Sequence, residues 1–257
     1  MAYEHILVER EGPITIVTLN RPQVFNALHK PAHFELEDAF DKFSADPDQW
    51  VAIVTGAGDK AFSAGNDLKY QAAGGERGWG KSGFGGLVSR FDCDKPIIAA
   101  VNGPAIGAGL DLATMCDIRI AGESAKFAES FVKVGIVPGD GGAWLLPRIV
   151  GFSRATELAL TGEMFDAQTA LAYGLVSHVV PDDQLLTKAM DIALKIAANP
   201  PHAVRMTKRL LREGQTATLA NILEMSAAMQ SLAHATKDND EAIDAFIEKR
   251  APVFRGE

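Results

Sequence analysis

The 257-residue chain has few cysteines and no long apolar run. Two cysteines, Cys93 and Cys116, are too few for a disulfide framework or a four-cysteine zinc site, which is typical of a reducing compartment. No apolar stretch reaches the roughly 18 residues that a membrane-spanning helix needs. The first residues carry acids where a secretory signal has a basic and then an apolar stretch. These absences predict a soluble, cytoplasmic protein with no membrane partner.

Basic charge is also scarce. The chain has 25 Lys and Arg against 33 Asp and Glu, so its formal net charge is −8. Because no run of Lys and Arg offsets this balance, we expect no nucleic-acid partner. Apolar residues make up 47% of the chain, which is enough to bury a core. The length suits one large domain or two small ones.

The signatures of nucleophilic and zinc hydrolases are missing. There is no G-x-S-x-G motif, and neither cysteine has an evident Cys/His setting. His29 and His33 lie four residues apart and Glu37 follows four further on, but Lys30 stands where a zinc protease needs a glutamate. We therefore interpret this segment as a solvated helix start and predict no metal site.

A glycine-rich segment matches phosphate-binding motifs by its letters. Residues 75–82 fit GxxxxGK[ST], and residues 78–83 fit GxGxxG. Both motifs require a turn between a strand and a helix, whereas the preceding residues 67–73 have a helical pattern. Nucleotide binding is therefore the weaker hypothesis. We interpret residues 71–86 as a mobile loop at the rim of a site.

The first two-thirds of the chain alternates strand and helix patterns. Residues 6–10 and 13–19 predict a hairpin, and apolar spacing over 32–45 predicts a helix. Residues 51–55 and 96–101 are apolar throughout, as strands of a parallel sheet covered on both faces are. These patterns predict an α/β fold.

A weak internal repeat follows the two buried strands. Residues 62–68 and 106–112 each contain a turn of small residues and then a helix start with Asp two places after Gly. Residues 135–142 form a third such unit. Repeated units of this kind predict stacked layers whose turns line up along one edge.

The pattern changes to helices alone after about residue 181. Helices are predicted at 182–198, 201–213, 217–236 and 238–249. We divide the chain into a core at 1–198 and a helical module at 199–257. The apolar faces of the module need burial, and a partner subunit is one way to provide it.

The small residues of the first two turns allow a ligand to approach the backbone closely. They are Ala64-Gly65 and Gly107-Ala108-Gly109. A helix that begins at such a turn has unpaired N–H groups and the positive end of its dipole there. Two such turns side by side would form a pair of convergent donors, an oxyanion hole. Tight packing of helix on strand explains the same residues, and the pattern alone does not separate the two.

A resemblance extends over nearly the whole chain. Residues 60–69 (KAFSAGNDLK) resemble the first signature of the enoyl-CoA hydratase/isomerase (crotonase) family, and residues 103–118 (GPAIGAGLDLATMCDI) resemble its second. The likeness continues through Phe127 and the segments 135–142, 171–179 and 245–254. It implies a crotonase-like spiral core of ββα units, followed by a C-terminal helical oligomerisation module. It also implies a homotrimer or a dimer of trimers.

The resemblance implies an acyl-CoA thioester as the binding partner. The backbone N–H groups of Asn66 and Ala108 would hold the thioester oxygen. Four positions match residues that contact the coenzyme, the last two often from a neighbouring subunit: Ala64, Leu68, Phe246 and Lys249. Coenzyme A would arrive as part of the substrate, with no permanently bound cofactor.

The acid/base positions depart from the family pattern. A typical hydratase of the family has two glutamates; the first falls at Asp111 and the second at Phe131, which cannot transfer a proton. Glu129 is two residues away and need not point the same way. Asp140, in the third turn, is our candidate for the second acid. A first-turn helix acid at Asp111 and a helix cap at Asp140 are the structural alternatives.

These residues predict an enzyme that stabilises a thioester enolate, with Asp111 and Asp140 as the catalytic carboxyls. Hydratase or isomerase activity on a 2-enoyl- or 3-enoyl-CoA is the first hypothesis. The alternatives are hydrolysis of a carbon–carbon bond in a β-oxo acyl-CoA and a catalytically inactive CoA-binding protein. The residues do not specify the acyl chain.

Overall fold

The computed structural model describes residues 3–257, and its larger sheet begins with the predicted hairpin. Strands β1 (Ile6–Glu11) and β2 (Ile14–Leu19) pair antiparallel around Gly12, whose φ of 56° favours glycine. The other strands of this sheet are parallel to β2. In spatial order after β2 they are β3 (Val51–Gly56), β4 (Ile97–Val101), β6 (Ile118–Gly122) and β9 (His178–Val180).

A second sheet of three short strands lies next to the first. Strands β5 (Ala105–Ile106) and β7 (Lys126–Ala128) are parallel, and β8 (Phe165–Asp166) pairs antiparallel with β7. Phe127 and Phe165 stack with their ring centroids 5.6 Å apart. A single bridge between Ser63 and Ala105 links the turn after β3 to this sheet. The small sheet therefore ties the first predicted turn to the second.

In the described residues, the first seven helices alternate with the strands or directly follow the last one. Helix α1 (Lys30–Ala45) buries the predicted apolar stripe except for Phe34, which is exposed. Its C-cap, Asp46, has an extended backbone, as is usual for a residue that precedes proline. The next six are α2 (Leu68–Ala72), α3 (Ala108–Met115), α4 (Gly142–Val150), α5 (Phe152–Thr161), α6 (Ala167–Ala172) and α7 (Leu185–Ala197). Helices α2, α3 and α4 each begin at one of the three predicted turns.

The C-terminal region is helical, as predicted. Helices α8 (Pro201–Glu213), α9 (Leu219–His234) and α10 (Lys237–Glu248) follow α7, and threonine side chains cap the last two. Helix α7 packs on β3, β4 and β6. Lys208 of α8 is buried and lies 2.7 Å from an Asp117 carboxylate oxygen. The predicted division at 198/199 therefore separates two helices that both contact the core.

The outermost helices leave many apolar side chains exposed. Helix α9 buries none of its residues, and α10 buries only Asp238 and Ala245. Exposed apolar side chains on these two helices are Leu219, Leu223, Leu232, Ile243, Phe246 and Ile247. Over residues 3–257, no helix combines the length and the apolar character needed to cross a membrane.

Candidate active site

Two glycine-containing turns meet at the start of α3. Gly65 has a φ of +80°, and a Cβ built on it would lie 2.8 Å from the Ile106 carbonyl oxygen and 3.2 Å from the Ala108 nitrogen. A Cβ on Gly109 would collide with the Ser63 carbonyl. The Ile106 N–H also donates to that Ser63 carbonyl over 3.0 Å. The backbones of the two turns are therefore in direct contact, which only glycine at 65 and 109 allows.

The N–H groups of Asn66 and Ala108 have no acceptor among residues 3–257. Their neighbours do: the Asp67 N–H donates to the Leu28 carbonyl over 2.8 Å, and the Gly107 N–H donates to the Ala128 carbonyl over 2.8 Å. Ala108 is the first residue of α3, so its N–H has no partner within the helix. The structure thus brings together two turns that each offer a free backbone donor.

Three carboxyl groups are buried close to these turns. The exposed fraction is 0% for Asp111, 1% for Glu129 and 6% for Asp140. Asp111 lies in the first turn of α3, Glu129 directly follows β7, and Asp140 precedes α4. A Cβ on Gly142 would collide with both Asp111 Oδ1 and Glu129 Oε1. The carboxyls of Asp111 and Glu129 therefore touch the same point at the start of α4.

Burial changes the acidity of all three groups. Desolvation raises the pKa of Asp111 to about 7, and the charge of Asp140 adds to this. Desolvation, then Asp111 and Asp140, raise the pKa of Glu129 to about 9. Desolvation raises the pKa of Asp140 as well. With a pKa near neutrality, the Asp111 carboxyl can both take up and release a proton at physiological pH.

Glu129 is the residue that sequence reasoning missed. The spacing left its direction open, and the structure places its carboxyl beside Asp111. Its position at the end of β7, parallel to the strand that leads into Gly107, was the available indication. Phe131 is buried, and its ring Cζ lies 3.8 Å from where a Gly107 Cβ would be. The Phe131 ring therefore packs next to the second turn.

A family model described as "Enoyl-CoA hydratase/isomerase" matches residues 9–257. The chain belongs to the enoyl-CoA hydratase/isomerase family. It is 38% identical to crotonyl-CoA hydratase of Syntrophomonas wolfei and 41% identical to a probable enoyl-CoA hydratase of Rhizobium meliloti, with 99% of each chain covered in both cases. An enoyl-CoA hydratase structure from Mycobacterium tuberculosis has a TM-score of 0.94 and 36% identity, over 98% of this chain and 99% of the other.

Membership of the enoyl-CoA hydratase/isomerase family confirms the predicted fold class and enzyme class. The crotonase-like architecture predicted from the motifs has solved relatives over the whole chain, including a probable hydratase/isomerase from Mycobacterium abscessus that covers 100% of both chains at a TM-score of 0.92.

The four predicted CoA-contacting residues fall in two places. Ala64 and Leu68 are exposed next to Asn66, at the first turn. The same turn is held by Asp67, which caps α2 by accepting from the Tyr70 N–H over 2.9 Å. Phe246 and Lys249 lie at the end of α10, where Phe246 is 85% exposed. Within one chain, Phe246 therefore does not pack against the first turn.

The glycine-rich segment lacks the setting of a phosphate-binding loop. It follows helix α2, not a strand, and it ends in a buried 3-10 turn at Phe84–Gly86. The Gly85 N–H donates to His33 Nδ1 over 3.1 Å, and the Ser82 N–H donates to Glu37 Oε1 over 2.8 Å. The end of the segment is therefore anchored on α1, which corrects the prediction of a rim loop throughout. His33 and Glu37 serve this anchoring, and the segment does not present the strand–turn–helix geometry of nucleotide binding.

Proposed function

We propose that the protein is an enoyl-CoA hydratase, which adds water across the C2=C3 bond of an acyl-CoA thioester or removes it again. The supporting observation is the pair of free N–H groups at Asn66 and Ala108, on turns that touch each other and lie beside the buried carboxyl of Asp111. The hydratase names of the relatives support the same reaction class.

The two N–H groups supply the electrostatic part of the reaction. When a nucleophile adds to C3, the electrons of the double bond move toward the thioester oxygen, which becomes an enolate. Two fixed donors stabilise this charge without reorganisation, and the Ala108 N–H adds the positive end of the α3 dipole. In other enzymes, the loss of one such donor costs about 2.7–4 kcal/mol.

We assign the proton transfers to Asp111 and Asp140. One carboxylate takes a proton from water while the water oxygen bonds to C3, and the other carboxyl delivers a proton to C2. Burial raises the pKa of both groups, which favours this role because it brings each carboxyl closer to the working pH. Neither residue acts only as a helix cap in this proposal.

A second candidate reaction is migration of the double bond of the acyl chain between the C3=C4 and C2=C3 positions. The specific observation in its favour is Phe131, a buried apolar residue at the position of the family's second glutamate. Double-bond migration needs only one effective carboxyl, since the proton removed from one carbon can return to another. It uses the same pair of N–H donors.

We further propose that CoA lies along Ala64 and Leu68 and is reached by Phe246 and Lys249 of a neighbouring chain. Lys249 suits a phosphate group, and the exposed apolar side chains of α9 and α10 favour burial against other copies. The expected assembly is a homotrimer or a dimer of trimers. CoA would enter with the substrate, with no resident cofactor. Sedimentation velocity of the purified protein tests the assembly: a monomer at micromolar concentration would contradict it.

The reaction is tested by incubating the enzyme with 2-enoyl-, 3-enoyl-, dienoyl- and β-oxo-acyl-CoAs. Mass spectrometry detects a gain of water, and NMR detects a shifted double bond or a cleaved carbon–carbon bond. We expect 3-hydroxyacyl-CoA from a 2-enoyl-CoA. Cleavage of the β-oxo substrate alone would identify a hydrolase, and binding of the thioesters without turnover would identify an inactive family member.

A further inference from the structure

The carboxyls of Asp111 and Glu129 differ from those of Asp67 and Asp238, two other buried acids, in having no partners. All four of their oxygens are buried, and none has a hydrogen-bond partner among the described residues. Both side chains are at least 99% buried, and both converge on Gly142. Two carboxylates that converge on one buried point without hydrogen-bond donors cannot both be ionised at neutral pH.

The surroundings of the pair supply no compensating cation. Asp140 is the titratable group that faces both carboxyls, and it has the same sign. The cations on the nearest elements are all exposed at the surface: Lys126 of β7, Lys133 after it and Arg148 of α4. Strand β5 and the 3-10 turn at 84–86 contribute no ionisable side chain. The pair therefore reaches a stable state by keeping a proton.

The backbone decides which carboxyl is the ionised one. Asp111 lies in the first turn of α3 and faces the Gly142 N–H at the start of α4. This N–H favours the charged form of Asp111 through its dipole, although the two groups do not form a hydrogen bond. Glu129 follows a strand and is not part of a helix first turn, although its carboxyl also lies at the start of α4. The N-terminus of α3 and the Gly142 N–H thus favour a negative charge on Asp111 and leave the proton to Glu129.

We infer that Asp111 and Glu129 carry one proton between them, which Glu129 holds, so that Asp111 is the ionised base. Glu129 is then a positioning residue that acts through Asp111. Its role in turnover rests on the proposed acyl-CoA chemistry, whereas the shared proton does not. The raised pKa of both groups, and the contribution of the Asp111 charge to that of Glu129, agree with this order of ionisation.

Infrared difference spectroscopy tests the shared proton without any need for turnover. A protonated carboxylic acid has a C=O stretching band that is distinct from the carboxylate bands and shifts in D₂O. We expect this band in the wild-type protein at pH 8 and its loss in Glu129→Gln. In Asp111→Asn the Glu129 band should persist only to lower pH than in the wild type, because the neighbouring charge is gone. Glu123→Gln, an exposed residue, is the matched control and should keep the wild-type spectrum.

The pH dependence of kcat/KM gives the second readout. In Glu129→Gln we expect the acid limb, set by Asp111, to stay in place while the alkaline limb near pH 9 disappears. A purely structural Glu129 would lower activity at every pH and leave both limbs where they are. Because buried Gln can impair folding, each variant is first checked by circular dichroism.

Gly142→Ala places a methyl group where the two carboxyls meet. We expect it to weaken their coupling and to bring the pKa of Glu129 down toward its value in Asp111→Asn. Gly139→Ala is the control, since its Cβ would approach only the Val137 carbonyl oxygen, at 3.9 Å. An unchanged Glu129 titration in both Gly142→Ala and Asp111→Asn would overturn the inference. If the enzyme hydrates a 2-enoyl-CoA normally but has no carboxylic acid band, the shared proton is rejected and the proposed function stands. If the band is present but no CoA thioester is turned over, the proposed function is rejected and the shared proton stands.

Discussion

The carboxyl site and the C-terminal helices depart from the ordinary distribution of residues in opposite directions. The site buries Asp111 and Glu129 without partners, whereas α9 and α10 expose Leu232, Phe246 and Ile247. Charged groups are rarely buried unpaired, and contiguous exposed apolar surface is rare in monomers. Each departure lowers the stability of the isolated chain. In our proposal each marks a place where the molecule meets something else, a substrate in the first case and other chains in the second.

The partnered acids of the same molecule strengthen this contrast. Asp67 lies 2.9 Å from Arg21 and also accepts the Tyr70 N–H, while Asp238 accepts N–H groups from Arg255 and Gly256 over 2.8 Å each. These carboxylates cap helices or fix the C-terminal segment. The chain therefore pairs acids that serve the fold, and it leaves unpaired the ones that we assign to chemistry.

Asp111→Asn has the largest expected effect. The substitution preserves shape and removes the base, so kcat should fall by about 10²- to 10⁴-fold, the usual contribution of a positioned acid or base. Acyl-CoA binding, measured by calorimetry, should change little. The melting temperature should stay the same or rise, because a buried charge is removed. Exposed Asp59→Asn is the control, and an Asp111→Asn enzyme as fast as this control would exclude Asp111 from the reaction.

Gly65→Ala should have the next largest effect. Its Cβ would press on the Ile106 carbonyl and the Ala108 nitrogen, so the two donors would move apart. We expect kcat to fall by about 10²- to 10³-fold, as for the loss of one oxyanion-hole donor. Gly74→Ala is a matched control, because φ is positive at both positions (80° and 85°) and a Cβ at 74 would meet nothing within 4 Å. Equal losses in both variants would show that backbone strain, not the donor geometry, is responsible.

Glu129→Gln should change how stability depends on pH. Burial raises the pKa of Glu129 in the folded protein to about 9, so its contribution to the free energy of unfolding is present below its ordinary pKa and is lost as the pH rises to about 9. Glu129→Gln has no carboxyl at this position, so its free energy of unfolding does not decrease in this way as the pH rises. Because one pKa unit corresponds to about 1.4 kcal/mol and 1 kcal/mol to about 2–4 °C, its melting temperature relative to the wild type should rise by at least about 3 °C between pH 5 and pH 9. Parallel melting curves over that range would contradict the burial of a proton at Glu129.

Lys249→Gln should have the smallest effect. The lysine ends α10 and, in our proposal, reaches a phosphate of CoA bound to a neighbouring chain. An exposed charge pair contributes little, so we expect KM for the acyl-CoA to rise about two- to fivefold with kcat unchanged. The difference should shrink at high salt. Lys195→Gln on α7 is the control, and an equal KM change there would remove the specific role of Lys249.

Helices and strands were predictable from the sequence wherever a regular spacing of apolar residues continued over the whole element. The helix predicted at 201–213 coincides with α8, because proline at its start and apolar spacing agree. The apolar runs at β3 and β4 likewise predicted a parallel sheet. The strands β5 and β8 have two residues each, too few for any periodicity, so they were missed. Their existence depends on partners that are distant in the chain.

Some features of the candidate site were likewise predictable from the sequence, and others were not. The turns before α2 and α3 were predictable, because glycine and other small residues are the local requirement for tight turns and close backbone approach. Asp111 was predictable as an acid in the first turn of a helix, and the resemblance of residues 103–118 to the second family signature supported it. The direction of the Glu129 side chain was not, since it depends on where β7 ends relative to β5 and on the position of Gly142 from a later helix.

The amino-acid sequence by itself determined the class of fold, the two turns with their glycines, the family and the helical character of the C-terminus. These features follow from local conformational preferences and from the spacing of apolar residues along the chain. The tertiary structure alone decided that Asp111, Glu129 and Asp140 share one buried space and that the Asn66 and Ala108 donors lie on touching turns. The physical reason is that burial and like-charge contact are properties of groups brought together from different segments, and no single segment encodes them.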